Sequence, residues 1–185
     1  MVEANPLTLA ELEAGLDTIR QSPKCEGVLA LIVRRPHIDT REVLEVAELD
    51  RVEGLVGDTW RTRGSSRTAD GSAHPDMQLT LVNARLIALV AHGKDRWALA
   101  GDQLVVDLDL SVENLPPGTR LALGSARIEV TAQPHTGCDK FAARFGREAL
   151  KWVNSAVGKQ LRLRGLNAKV VQSGVIRVGE IVQKL

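Results

Sequence analysis

Apolar residues in this chain arrive in short bursts, and glycine, proline or a charged pair interrupts nearly every one. Bursts this short are strands rather than helices when their period is two. Ala126, Ile128 and Val130 alternate with Arg127, Glu129 and Thr131, and Gly124-Ser125 links them to Arg120–Leu123 as a two-residue hairpin. Val28–Val33 is a continuous apolar run ended by Arg34-Arg35-Pro36, which predicts a well-buried strand. Glu42–Leu49 fits neither period cleanly; Val43 and Val46 after the Asp39-Thr40 turn assign it to a strand. Met77–Val82 and the half-buried alternation of Leu104, Val106, Leu108 and Leu110 add two more. Leu161 with Leu163, Val170-Val171, Val175-Ile176 and Ile181-Val182 complete the set, divided by Gly165, Ser173-Gly174 and Gly179. So many short strands beside two or three helices predict a mixed, β-rich α+β fold, a small closed or strongly curved barrel with a few peripheral helices.

The helices announce themselves by spacing. Leu9, Leu12, Leu16 and Ile19 form one stripe over Leu7–Arg20, with Thr8 and Glu11 in capping-box register. Asn83 opens a second helix through Ala91. Phe141, Phe145, Ala149, Trp152 and Ala156 mark a third, with a break expected at Gly146. Residues 1–26 therefore read as a helical extension and 27–185 as the barrel domain. From Gly54 to Asp76 the chain is polar and aperiodic, with Trp60 as its one large anchor, as in a binding loop or lid.

A chain of 185 residues with 25% charged side chains builds one ordinary core. Its net charge of +1 gives no reason to expect nucleic acid or a membrane surface as partner. The charge is uneven, however. Cys138–Lys169 carries eight cations against two acids, while the chain before residue 59 leans acidic, so the basic flank reads either as a partner for a phosphorylated or otherwise anionic ligand or as a solvated helix face. Two cysteines and no Cys-x-x-Cys make no disulfide framework. With Met1 read as a native start and no signal-like or membrane-length apolar segment, the expected location is the reducing cytoplasm. Cys25, in a loop beside a strand, reads as structural.

Cys138 is different. Thr131 to Cys138 joins a strand to a helix through a Pro/Gly turn, delivering the thiol to the helix start, with Asp139 or Thr136 as the expected cap. There the dipole, Lys140 and Arg144 all favour a thiolate. His135-x-x-Cys138 has too few ligands for a closed zinc site. His135 therefore joins Cys138 in the candidate catalytic pair, as a positioning group more than a general base.

The segments Gly57-Asp58-x-Trp60, Gln78–Asn83, Ala100-Gly101-Asp102-Gln103-Leu104, Glu113-Asn114-Leu115 and Leu123–Thr131 resemble, in order, those of the MOSC domain family. Pro134–Cys138 and the closing Gly174-x-Ile176-x-x-Gly179-Glu180 extend the resemblance. It implies a barrel-like fold that handles molybdenum cofactor (molybdopterin) or sulfur, in a family also associated with pyridoxal-phosphate sulfurases. Cys138 matches the family's cysteine, which ligates molybdenum or carries a persulfide. The implied cofactor-binding residues are Asp58, Trp60, Arg61, Arg63, Arg67, Asn83, Asp102, Asn114, Lys140 and Arg144. Gln103 stands where family members often have Asn, and Thr136-Gly137 replaces the usual residues before the cysteine. With no sulfurase-like segment or ferredoxin-like cysteine cluster of its own, such a chain would work with a separate sulfur donor of the cysteine desulfurase type, or with an electron-donating reductase. The competing readings are a non-catalytic domain for an anionic small molecule, with Cys138 structural, and an interaction scaffold.

Overall fold

A computed structural model describes residues 5–185; residues 1–4 of the expected extension lie outside the described residues. The strands are β1 (Glu26–Arg34), β2 (Glu42–Leu44), β3 (Val46–Asp50), β4 (Gly54–Leu55), β5 (Leu79–Asn83), β6 (Leu104–Asp107), β7 (Arg120–Leu123), β8 (Ala126–Val130), β9 (Leu166–Gln172), β10 (Gly174–Arg177) and β11 (Ile181–Lys184). Seven of them close a barrel in the order β1-β11-β7-β8-β9-β5-β6 and back to β1. Every pairing in it is antiparallel except β5 with β6, which run parallel. A parallel neighbour requires a crossover, and it is supplied by α4 (Ala84–Ala91) and the tight turns of Lys94–Ala100. β2 hangs on the far end of β1, and β10-β3-β4 forms a separate three-stranded sheet. Leu49, Leu55 and Ile176 of that sheet join the barrel core.

The remaining helices are α1 (Leu9–Ala14), α2 (Leu16–Arg20), α3 (Trp60–Arg63), α5 (Asp139–Phe145), α6 (Arg147–Val153) and α7 (Ala156–Gln160). Side-chain alternation sorts two cores. Leu79, Leu81, Leu104, Val106, Leu121 and Ile128 fill the barrel. Leu31, Val33, Val82 and Val105 point outward, where Leu12, Ile87, Phe141 and Trp152 of the helices bury them. β1, β5 and β6 are thus covered on both faces, whereas β8 turns Arg127 and Glu129 away from the core.

Several expectations change in detail. The half-buried strand at Leu104 is buried on both sides, with Val105 only 1% exposed, because the helical layer lies on it. Leu161 and Leu163 belong to no strand: α7, capped by the Ser155 side chain accepting from the Gly158 N–H, runs into a turn there. The first helix is two, α1 and α2, parted at Gly15; the Thr8–Glu11 capping box is present. The third breaks at Gly146, and Ala156 is exposed at the start of α7 rather than continuing its stripe. Cys25 is exposed rather than packed.

Candidate functional site

Cys138 is the N-cap residue of α5 in extended backbone, and no side chain caps that helix; neither Asp139 nor Thr136 takes the role. The preceding peptide is pinned from α6's C-terminus, where Asn154 accepts from the Gly137 N–H at 2.9 Å and donates to the Gly137 carbonyl at 3.2 Å. Asn167 of β9 holds the same loop at its other end by donating to the Gln133 carbonyl at 3.1 Å. The thiol is exposed. It stands on the wall of a cleft of about 240 Å3 lined by Trp60, Met77, His135, Phe141, Asn167 and a set of cations.

Six cations line this cleft: Arg35, Arg41, Arg63, Lys140, Arg144 and Arg164. Among the described residues no carboxylate does. Their arrangement follows from one turn. Leu99, Ala100 and Gly101 present three consecutive carbonyls, which accept from Arg144 (2.6 Å), Arg164 (3.2 Å) and Arg35 (3.1 Å) respectively. Gly101 ends the turn at φ +81, a left-handed conformation that glycine adopts without steric cost. Arginines from β1's end, α5 and the start of β9 are drawn together by main-chain oxygens.

Two carboxylates sit behind them. Asp58, fully buried, grips Arg35 with two side-chain bonds of 2.8 and 2.7 Å and also accepts from the Arg35 and Trp60 N–H groups. Asp102, likewise buried, pairs with Arg164 at 2.6 Å. Asp39 on the rim meets Lys140 at 3.0 Å and Arg144 at 3.8 Å. Among the described residues Arg41 and Arg63 have no carboxylate partner, so the cluster keeps an excess of positive charge. Burial, with Arg144 and Arg35 close by, depresses the Arg41 guanidinium below its ordinary range. Burial and Arg35 do the same to Arg63. An anion in the cleft relieves both stresses.

Unspent polarity, donors and acceptors both, collects at the same place. Arg41 Nε, Arg164 Nε, His135 Nδ1, Asp102 Oδ1 and Asn167 Oδ1 are buried without a hydrogen-bond partner among the described residues. Buried polar atoms are normally paired, so a concentration of exceptions in one place marks a site that a ligand or ordered water completes. Arg164 also stacks on Phe141, 5.1 Å from the ring centre.

His135 faces Asp102, its Nδ1 3.5 Å from Oδ1, longer than a good hydrogen bond. Burial, then repulsion from Arg164, outweighs Asp102 and drives the imidazole down to about 3. It is neutral at physiological pH. The consequence is measurable. Because the folded imidazole resists a proton that the unfolded chain accepts below about 6.5, stability contributed by this group is complete above that value and is lost as pH falls towards 3. Between pH 6.5 and 5 the loss amounts to about 1.5–2 kcal/mol. Denaturant unfolding at the two pH values should show that extra loss in the natural chain and not in His135→Gln; parallel losses in both would refute it.

Of the residues expected at the site, Trp60, Arg63, His135, Cys138, Lys140 and Arg144 meet in the cleft. Asp58 and Asp102 stand behind it, holding arginines. Arg61 lies on a neighbouring depression and pairs with Glu53 at 3.5 Å, and Arg67 does not line the cleft. The structure does not bring Asn83 or Asn114 there. The Asn83 side chain caps α4 and donates to Ser22 and the Leu108 carbonyl; Asn114 donates to the Lys24 and Asp109 carbonyls. Gln103 bonds Thr80 and the Gln78 carbonyl, tying β5 to the start of β6. Sequence reasoning missed Arg35, Arg41 and Asn167, and counted Arg164 only among flank charges. One signal was present: an aspartate in a Gly-Asp-x-Trp turn beside an anchoring Trp is set to be buried, and a buried aspartate needs a cation.

A closed mixed barrel, with one exposed cysteine at a helix start beside a basic cleft, defines the class of protein. The family model of the MOSC domain matches residues 72–183, more than half the chain. The chain belongs to the MOSC domain family, known for binding molybdenum cofactor. Among solved structures, YuaD from Bacillus subtilis is similar at 16% identity over 86% of this chain and 95% of that one, with a TM-score of 0.61. YiiM from Escherichia coli is similar at 19% identity over 85% and 69%, with a TM-score of 0.54. YiiM from Geobacillus stearothermophilus gives 14% over 86% and 73%, with a TM-score of 0.51. At these identities the likeness is one of fold. No curated protein matches the chain. Among the described residues no helix is long and apolar enough to cross a membrane.

Proposed function

We propose that this protein binds molybdenum cofactor in the arginine-lined cleft, with Cys138 as the sulfur that ligates the metal or carries a transferable sulfur atom. The observation that carries the reading is an exposed thiol on the wall of a cleft lined, among the described residues, by six cations and no carboxylate. The donor set fits the group. Arg41, Arg63 and Arg164 offer hydrogen bonds and charge to a phosphate, Trp60 offers a flat apolar face to a ring, and a thiolate is a soft ligand suited to a soft metal site. When bound, the cofactor supplies a redox-active metal centre.

The chain's own residues do the rest. Asp58 and Asp102 hold Arg35 and Arg164 in the cleft wall, where Arg164 keeps an unpaired Nε. Asn154 fixes the peptide before Cys138, and with it the direction of the thiol. His135, neutral, adds no charge beside the sulfur. In the sulfur-carrying version the Cys138 thiolate attacks the outer sulfur of a donor persulfide. The donor's S–S bond breaks, its thiolate leaves, and Cys138 is left as a persulfide. A desulfurase-type donor or a separate reductase is the implied partner, and the cytoplasm is the compartment that keeps the thiol reduced.

Expression in a host that makes molybdenum cofactor tests this. Molybdenum and pterin should co-purify, and Cys138→Ala should lose the metal while keeping the melting temperature. For carriage, incubation with a desulfurase and cysteine should add one sulfur, about 32 Da, at Cys138. If neither result appears while inorganic phosphate still binds, the protein is an anion-binding domain and the thiol is incidental.

A further inference from the structure

The segment Thr131–Gly137 is a bridge with a cavity on each side. In front is the arginine-lined cleft. Behind it opens a second cavity of about 270 Å3, and the two share His135 and Arg164 as a common wall. This rear cavity is lined by Lys159 and Arg162 as further cations, by apolar Val153 and Leu166, and, among the described residues, by no Asp or Glu. Arg162 is held at φ +48, a backbone conformation uncommon for a residue with a side chain, and donates to the Leu115 carbonyl at 2.6 Å. Arg164 is 7% exposed, yet its Nε has no acceptor; the neighbouring His135 Nδ1 is also unpartnered. Along the bridge, the backbone N–H groups of Ala132, Gln133, His135 and Thr136 find no backbone acceptor among the described residues.

We propose that the rear cavity is a second binding site, for a small acid with an oxyanion head on a short apolar body. Three cations and the unpaired main-chain N–H groups line it, the polar side chains beside them (Gln133, Thr136, Asn154) are uncharged, and part of the wall is hydrocarbon. Such a surface suits a ligand that only accepts hydrogen bonds at one end and is apolar at the other. The volume corresponds to about nine waters at roughly 30 Å3 each, room for a single ring and its carboxylate. The site does not depend on whether the front cleft takes molybdenum cofactor. It is linked to that cleft, because an anion bonded to Arg164 from behind lowers the positive potential in front. Phosphate in front then binds more weakly, and by reciprocity weakens the rear ligand equally.

Benzoate is the probe, followed by backbone amide NMR of the full chain, with inorganic phosphate as the compact comparison. Benzoate should shift amides of Ala132–Thr136 and Gly158–Arg162 saturably, and its presence should weaken phosphate in the front cleft. Ala132→Trp, at an exposed rim position, and Lys159→Gln, at an exposed cation, should together weaken benzoate at least about tenfold while the melting temperature holds. Benzoate shifts confined to the surroundings of Arg41, Lys140 and Arg144, or no saturable shift at all, would overturn the proposal. So would variants that keep both their fold and full benzoate affinity.

Discussion

Asp58→Ala should cost about 3–5 kcal/mol of folding stability, the largest effect expected of any single charge removal in this chain. Asp58 is fully buried and accepts four hydrogen bonds, two from the Arg35 side chain and two from the backbone of Arg35 and Trp60. Removing it strands a guanidinium whose side chain is 9% exposed. For a domain of this size the melting temperature should drop by roughly 10–15 °C. Replacing both partners with apolar groups, Arg35→Met with Asp58→Leu, leaves no orphaned charge and should recover part of that loss, the remainder coming from the Arg35 and Trp60 N–H groups left unpaired. The double variant should nevertheless bind phosphate in the front cleft about tenfold more weakly, since one of the six cations is gone. Calorimetric unfolding and phosphate titration separate the two effects. An Asp58→Ala protein as stable as the natural one would mean that the pair does not hold the structure.

Gly165→Ala should be comparably damaging, by a different cause. Gly165 lies at φ +101, and an added Cβ would collide with the Leu81 carbonyl of β5 and come within 3.3 Å of His135 Nδ1. Gly118 supplies the control. Its φ is +90, but nothing lies within 4 Å of the position a Cβ would take. Gly118→Ala should therefore cost only the backbone strain, about 1–2 kcal/mol. Gly165→Ala should cost about 3 kcal/mol or more, because strand β5 or the His135 loop must also shift. Equal losses in denaturant unfolding would show that the collision relaxes freely.

Where local pattern decided structure, the sequence was legible. The alternation at Ala126–Val130, the Gly124-Ser125 hairpin and the Asn83 helix start depend on near neighbours, and the chain folds as they dictate. Val105 was less legible, since whether an outward strand residue meets solvent or a helix depends on partners far along the chain. The site divides the same way. Cys138, Lys140 and Arg144 lie within one stretch, and their grouping follows from the helix that carries them. Arg35 and Arg164 reach the same place from opposite ends of the sequence, directed by buried aspartates and by backbone oxygens, and no spacing rule records that convergence. Asp58 and Asp102 were expected as ligand contacts because they occupy recognisable motifs. In the structure their carboxylates hold Arg35 and Arg164.

The turn at Leu99–Gly101 has a further consequence. Its grip on three guanidinium groups is written in main-chain oxygens, so exchanging the exposed side chain of Leu99 leaves the anchors in place. Drift at Leu99 is silent towards the ligand, whereas Ala100 is buried and lines the cleft itself. Gly101 carries the bend at φ +81, so a methyl group there would strain the very backbone that aims the three carbonyls.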